Sequence, residues 1–199
     1  MKRFRELHVE LKKVFNVRAT YLYGHSQGSF FSHLYAGAYP KDVQGLVGHA
    51  SGIWASTKMG KKGHHQAVVL MHGTADGTVY YGQGVSGLTV YEKAKYPTVR
   101  LRSLEGWNHW PAEHNGPVRH TSQQLAWVEG MSTEDPKRMA ACLEILAKVK
   151  NTDQHDFGGM YTLAAHLAQH PNAPSGLKSR ARKAMKSVSY THLTLPTSG

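Results

Sequence analysis

The sequence predicts an α/β fold in which a parallel sheet of about four strands is flanked by helices. Strand patterns alternate with helix patterns over residues 1–130, and that order calls for crossover connections between parallel strands. The run 67–71 (AVVLM) is apolar throughout, as a strand covered on both faces should be. No strand pattern follows Leu104, so we predict that a helical appendage over residues 131–187 follows the first domain.

The first elements lead into a turn bracketed by glycines. Apolar residues at helical spacing from Phe4 to Phe15 predict an amphipathic helix rather than a signal peptide. Residues 18–23 (RATYLY) predict a buried strand. Beyond the turn at 24–28, a second helix is expected to end at Pro40.

Three further strands are predicted at 43–50, 67–71 and 98–104. In the last of them Val99 and Leu101 alternate with arginines, which indicates a half-exposed strand near a sheet edge. Residues 79–95 predict a helix that three glycines, at 82, 84 and 87, weaken in its first part.

The last third of the chain shows only helix patterns. After a loop at 106–111 a helix is expected to run to about Glu129, and Ser132 or Thr133 to cap the next one. Cys142 falls on the apolar stripe of that helix, which predicts a buried thiol. Two more helices are predicted at 161–169 and 175–187.

Composition sets the broad limits. The chain has 199 residues, 40% of them hydrophobic, which suffices for a sizeable core. Its net charge of +11 is spread along the chain and suits anionic partners. One cysteine excludes an intrachain disulfide framework and fits a reducing compartment, while secretion of a longer product stays open. The sequence has no run of 18 apolar residues, so no membrane span is predicted.

The last residues of the chain differ in sequence pattern from those before them. Residues 188–197 (VSYTHLTLPT) are similar to the translation of a transposon adapter used in sequencing libraries. We therefore predict that residues 188–199 are a non-native tail and leave them out of the fold reasoning.

The turn at 24–28 has the pattern Gly-x-Ser-x-Gly, formed by Gly24, His25, Ser26, Gln27 and Gly28. A strand runs into it and a helix leaves it, which is the setting of a nucleophile elbow. Such a turn holds the serine in strained backbone geometry, and the two glycines are expected to make room for close backbone approach. The helix N-terminus offers N–H groups to a developing oxyanion.

A serine hydroxyl needs a base, and the base needs an orienting acid. Asp76 directly follows the third strand in His72–Gly77 (HGTADG), and His109 follows the fourth in Gly106–Pro111 (GWNHWP). Because parallel strands end at the same rim of a sheet, we expect both residues near Ser26. His114 and His120 are the alternative bases, but neither directly follows a strand.

By these three motifs, residues 1–130 resemble the α/β-hydrolase superfamily. The resemblance is nearest to its serine esterase and peptidase-like branches, including the feruloyl-esterase and polyhydroxyalkanoate-depolymerase types. It implies Ser26 as nucleophile, His109 as general base and then acid, and Asp76 as the group that fixes the imidazole tautomer. It also implies the backbone N–H of Gln27 as one oxyanion donor.

The resemblance covers only the C-terminal half of that fold, because members have about four more strands ahead of the elbow strand. We therefore expect a truncated hydrolase, with the second oxyanion donor unassigned and strand 19–23 left as an apolar edge. The implied substrate is a small-molecule ester cleaved through an acyl-enzyme without a cofactor. A serine peptidase of the prolyl-oligopeptidase type, a non-catalytic fragment and a basic binding module are the alternatives.

Each motif also has a plainer interpretation. Ser26 alone is typical of a helix cap and Asp76 of a turn. Trp107 and Trp110 are expected to pack around the histidine loop rather than hold substrate. The histidines do not show the spacing of a metal site, and the basic cluster at 178–186 has no interleaved aromatics, so neither a metal nor a nucleic acid is favoured. Nothing in the sequence indicates an oligomeric state.

Overall fold

The computed structural model describes residues 1–110, 117–148 and 155–193, with side chains left undescribed at 117–119 and 189–193. The chain divides into two compact units, Met1–His109 and Trp110–Gly199. The division of the chain into domains at residue 130, which the sequence predicts, remains a prediction.

A four-stranded parallel sheet forms the centre of the first unit. Its strands are β1 (Tyr21–His25), β2 (Gly45–His49), β3 (Ala67–Gly73) and β4 (Val99–Leu104), in the spatial order β1-β2-β3-β4. All neighbouring pairs are parallel. The predicted α/β class with about four parallel strands is confirmed, and the carboxyl ends of all strands lie along one rim.

Burial follows position in the sheet. Every residue of β2 and β3 is buried, as the apolar run at 67–71 predicts for a central strand. The predicted half-exposure of β4 is confirmed. β1 lies at the opposite edge, where Tyr23 remains 40% exposed. The prediction of a buried strand at 18–23 was therefore wrong, because β1 has a neighbouring strand on one side only in the described sheet.

Three helices belong to this unit: α1 (Lys2–Val14), α2 (Gln27–Ala38) and α3 (Gly82–Lys93). Phe4 of α1 packs edge-on against Phe31 and Tyr35 of α2. α2 packs on β1 and β2, and α3 on β3 and β4. Both helices share one apolar core with the sheet, centred on the buried Tyr35 and Tyr91.

The expectation that glycines weaken the first part of α3 was wrong, because the helix begins at Gly82 itself. A Cβ added at Gly87 would lie 2.6 Å from the Leu70 side chain of β3. Gly84, where an added Cβ would lie 2.8 Å from the His72 side chain of β3, and Gly87 therefore let α3 pack close to the sheet, and that tertiary contact outweighs the poor helix propensity of glycine.

The described part of the second unit consists of helices α4 (Pro117–Ser132), α5 (Pro136–Ala147), α6 (Phe157–Gln169) and α7 (Ser175–Leu193). α4 packs with α5 and α6, and α6 with α7, around a core that includes Met139, Cys142, Leu146, Leu163 and Leu167. Asp135, not Ser132 or Thr133, caps α5, since its carboxylate accepts from the Lys137 amide. None of the helices in the described ranges is long and apolar enough to cross a membrane.

Candidate active site

Ser26 occupies the turn between β1 and α2. Its backbone has φ 53° and ψ −123°, so the strained geometry predicted for a nucleophile elbow is present. The Ser26 amide donates to the carbonyl of His49, at the end of β2, over 2.8 Å. The neighbouring strand thus anchors the turn.

The two glycines of the turn have different roles. A Cβ added at Gly24 would overlap the backbone of Gly28, so the close approach requires glycine at 24. A Cβ added at Gly28 would meet no described atom within 4 Å. The expectation that both glycines make room for the backbone was therefore wrong for Gly28, which is the second residue of α2.

Asp76 lies in the turn after β3, with its side chain fully buried. Its Oδ1 accepts hydrogen bonds from the backbone amides of Thr78 and Val79, at 2.9 and 2.8 Å. Burial by itself would raise the pKa of this carboxyl. The hydrogen bond from His109 and those two amides outweigh burial and leave the pKa below its ordinary value, so Asp76 is ionised near neutral pH.

His109 joins the other two residues. Its Nδ1 lies 2.9 Å from Asp76 Oδ2, and its Nε2 lies 3.0 Å from Ser26 Oγ. Because the ionised carboxylate can only accept, Nδ1 carries the hydrogen, and the Nε2 lone pair faces the serine hydroxyl. The residue is only 2% exposed, so its bond to Asp76 is shielded from water.

Backbone contacts hold the histidine loop against the acid turn. The Ala75 amide donates to the Trp107 carbonyl over 2.9 Å, and the Gly106 amide donates to Thr74 Oγ1 over 2.9 Å. The loops after β3 and β4 are therefore bonded to each other, which fixes the distance between Asp76 and His109.

His25 and His49 surround the base from the β1 and β2 side. His25 Nε2 donates to the backbone carbonyl of His109 over 2.9 Å, which ties the elbow to the histidine loop. His49 is buried, and its Nδ1 lies 3.1 Å from the Tyr23 hydroxyl. Burial, and then repulsion from neighbouring histidines, lowers the pKa of His49 to about 3, so it is neutral near neutral pH.

Sequence reasoning missed the contact that His25 makes. It treated His25 as a spacer in the elbow motif and His72 as a lead-in to the acid turn. The signal was available, because both side chains belong to residues at the carboxyl ends of parallel strands, where polar groups converge.

The other predicted positions sit as follows. Gln27 is the first residue of α2, where backbone N–H groups have no partner within the helix. Of the alternative bases, His114 lies outside the described residues, and His120 is buried within α4 of the second unit. The position between Ser26 and Asp76 is occupied by His109.

Other reactive side chains do not form a competing site in the described ranges. Burial, and then the nearby Glu129 carboxylate, raises the pKa of the Cys142 thiol to about 11, which keeps it protonated. No group of three histidine, cysteine or carboxylate side chains among the described residues is arranged to hold a metal ion.

No protein-family model and no curated protein sequence matches this chain. Among solved structures, it is similar to esterase PE8 at 22% identity, with 53% of this chain and 49% of that one covered and a TM-score of 0.42. It is similar to a variant of SOBER1 from Arabidopsis thaliana at 17% identity, over 53% and 54% of the two chains, with a TM-score of 0.44. It is also similar to acyl-protein thioesterase 2 of Zea mays at 15% identity, over 59% and 63%, with a TM-score of 0.44.

The chain spans about half the length of esterase PE8 and of the SOBER1 variant. These matches cover between 53% and 59% of the residues of this chain.

Proposed function

We propose that this chain is a serine hydrolase that cleaves carboxylic esters through an acyl-enzyme. One observation carries the proposal: an unbroken line of hydrogen-bond contacts from Ser26 through His109 to the buried Asp76, at 3.0 and 2.9 Å. A serine that serves only as a helix cap has no need of a buried histidine and a carboxylate in that order.

The proposed reaction has two halves. Ser26 Oγ attacks the ester carbonyl carbon while its proton passes to His109 Nε2, and the carbonyl electrons move onto oxygen. The tetrahedral intermediate collapses, the carbon–oxygen bond to the alcohol breaks, and His109 gives the proton to the leaving oxygen. Water then attacks the acyl carbon while His109 takes its proton, the bond from that carbon to Ser26 Oγ breaks to release the acid, and His109 returns the proton to Oγ. Asp76 remains ionised throughout and holds the imidazole tautomer.

The Gln27 amide is the proposed donor to the oxyanion. Its position as the first residue of α2 directs an N–H toward the turn in which Ser26 lies. Each donor of this kind is worth about 10²–10³ in rate, so a chain with one donor would retain slow but measurable acylation.

The test is labelling with a fluorophosphonate, read by intact mass on protein shown to be folded by circular dichroism. One adduct is expected on the wild type and none on Ser26→Ala. Ser86→Ala is the matched control, because Ser86 is exposed on α3 and should label like the wild type. An adduct that persists in Ser26→Ala, or no adduct on the folded wild type, refutes the proposal.

A matched pair of p-nitrophenyl ester and p-nitroanilide substrates then separates ester from peptide-type cleavage. Turnover of the ester alone supports the esterase, and equal turnover of the anilide would transfer the proposal to a serine peptidase. Ser26→Ala must abolish either activity.

A further inference from the structure

His72 lies at the carboxyl end of β3, four residues before Asp76, and is 1% exposed. Its Nε2 is 2.8 Å from the backbone carbonyl oxygen of Val79 and 3.2 Å from Asp76 Oδ2. Both neighbours are acceptors, so Nε2 carries a hydrogen that is shared between them. Asp76 Oδ2 thus faces two histidines, His109 and His72.

The opposite side of the ring explains why His72 keeps this orientation. Nδ1 is buried and has no hydrogen-bond partner among the described residues. Gly84 of α3 lies beside it, and a Cβ added there would be 2.8 Å from Nδ1. A ring flip would place a carbon against Val79 and leave its carbonyl without this donor, so the observed orientation is favoured.

Tyr81 packs on the same ring. The two rings meet edge-on with centroids 5.8 Å apart, and the Tyr81 hydroxyl is 2.6 Å from Ser103 Oγ on β4. Ser103 is the register partner of His72 across β3 and β4. The imidazole is therefore held by the sheet, by Tyr81 and by the start of α3.

These contacts close a loop around the carboxylate of Asp76. The Val79 amide donates to Oδ1, while the Val79 carbonyl accepts from the same His72 hydrogen that faces Oδ2. Rotation of the carboxylate about its Cβ–Cγ bond would break bonds at both oxygens. Oδ2 is thereby kept on the hydrogen of His109 Nδ1.

We propose that His72 is a positioning residue that fixes the Asp76 carboxylate in the orientation needed to hold the His109 tautomer. This inference rests on the proposed function. His72 acts through Asp76 and has no contact with the reacting atoms in the scheme above.

The variants His72→Gln and His72→Asn test it. The glutamine amide nitrogen is as many bonds from Cα as His72 Nε2, whereas the asparagine nitrogen reaches only as far as Nδ1. Asparagine therefore loses the shared hydrogen bond and glutamine retains it. His72→Phe is a second variant without the donor, for use if His72→Asn does not fold.

Hydrolysis of p-nitrophenyl acetate and the rate of fluorophosphonate labelling are measured on folded protein. We expect His72→Asn and His72→Phe to lower kcat by about 10- to 100-fold with KM unchanged, and His72→Gln to remain within about threefold of the wild type. His64→Phe is the matched control, because it removes a histidine-to-carbonyl bond of 2.8 Å, to Ala94, outside the triad. It should keep the wild-type kcat.

Two results overturn the inference. One is a folded His72→Asn or His72→Phe with the kcat of the wild type. The other is a loss in His72→Gln equal to that in His72→Asn, since that would mean that the imidazole matters only for packing. Failure of the proposed function itself looks different, because the wild type would then lack the Ser26 adduct before any His72 variant is made.

Discussion

Replacement of Asp76 by asparagine should reverse the tautomer of His109. The Thr78 and Val79 amides both donate to Oδ1, so the asparagine oxygen has to remain there. The asparagine NH₂ then takes the place of Oδ2, 2.9 Å from His109 Nδ1. Two donors cannot share that contact, so Nδ1 becomes the acceptor and Nε2 carries the hydrogen.

The consequence at Ser26 follows directly. With a hydrogen on Nε2, His109 can no longer accept the serine proton across the 3.0 Å contact. A wrong tautomer in this type of triad costs about 10⁴ in kcat, which corresponds to about 5 kcal/mol of transition-state stabilisation. We expect Asp76→Asn to show that loss with little change in KM, because the residue is buried away from substrate.

The assay is steady-state hydrolysis of the p-nitrophenyl ester, with the rate of fluorophosphonate labelling as a second readout. Asp42→Asn is the matched control, since it removes a carboxylate that pairs with Arg5 over 3.2 Å near the protein surface. It should retain the wild-type kcat. If folded Asp76→Asn keeps more than about a tenth of the wild-type kcat, the tautomer argument fails.

Three other outcomes are expected. Burial lowers the pKa of His33 to about 4 from 6.5, so between those values the unfolded chain takes up a proton that His33 in the folded chain does not. His33 should therefore lower the free energy of unfolding by up to about 3 kcal/mol from pH 6.5 to 4 in urea titrations; His33→Asn should remove that share of the fall and leave the share due to His49. Gly24→Ala should lower the free energy of unfolding by more than about 1 kcal/mol and slow fluorophosphonate labelling. Gly28→Ala should leave the labelling rate unchanged and the free energy of unfolding unchanged or higher by up to about 1 kcal/mol, and equal effects of the two variants would contradict the steric argument. The Trp54 ring stacks on Phe30, one turn beyond the elbow, at 5.3 Å between centroids. Trp54→Ala should therefore raise KM for benzoate esters more than for acetate esters, and an unchanged KM ratio would exclude this aromatic pair from substrate binding.

The sequence contains enough local information to predict the sheet. Apolar runs and arginine alternation predict the four strands and the burial of β2, β3 and β4, because period and burial are directly coupled in a sheet. The exposure of β1 was not predicted from its apolar and aromatic residues. The elbow geometry at Ser26 was also predictable, since the glycine-bracketed turn stands between a strand and a helix. The alignment of Asp76 with His109 follows from parallel strands that end at a common rim.

What the sequence could not provide are the contacts made across elements. Gly84 and Gly87 are typical of a weak helix, and only the packing of α3 against β3 shows why glycine stands there. Asp135 competes with two neighbouring hydroxyl residues as a cap, and only the backbone path decides between them. The positions of His25 and His72 at strand ends indicate the rim of the sheet, but only the folded backbone shows that they bond to the carbonyls of His109 and Val79.

The edge position of β1 has a consequence for how activity is lost. The strand that ends in the Ser26 turn is hydrogen-bonded to β2 on one side, and the order of the described sheet ends with it. Edge strands open by local fluctuations at a lower free energy than central ones, and amide hydrogen exchange reports such openings. Asp76 follows the central strand β3, whereas His109 follows β4, the other edge strand of the described sheet. The nucleophile and the base are therefore both attached to edge strands, and gentle denaturation should separate Ser26 from His109 before β2 and β3, which lead to His49 and Asp76, come apart.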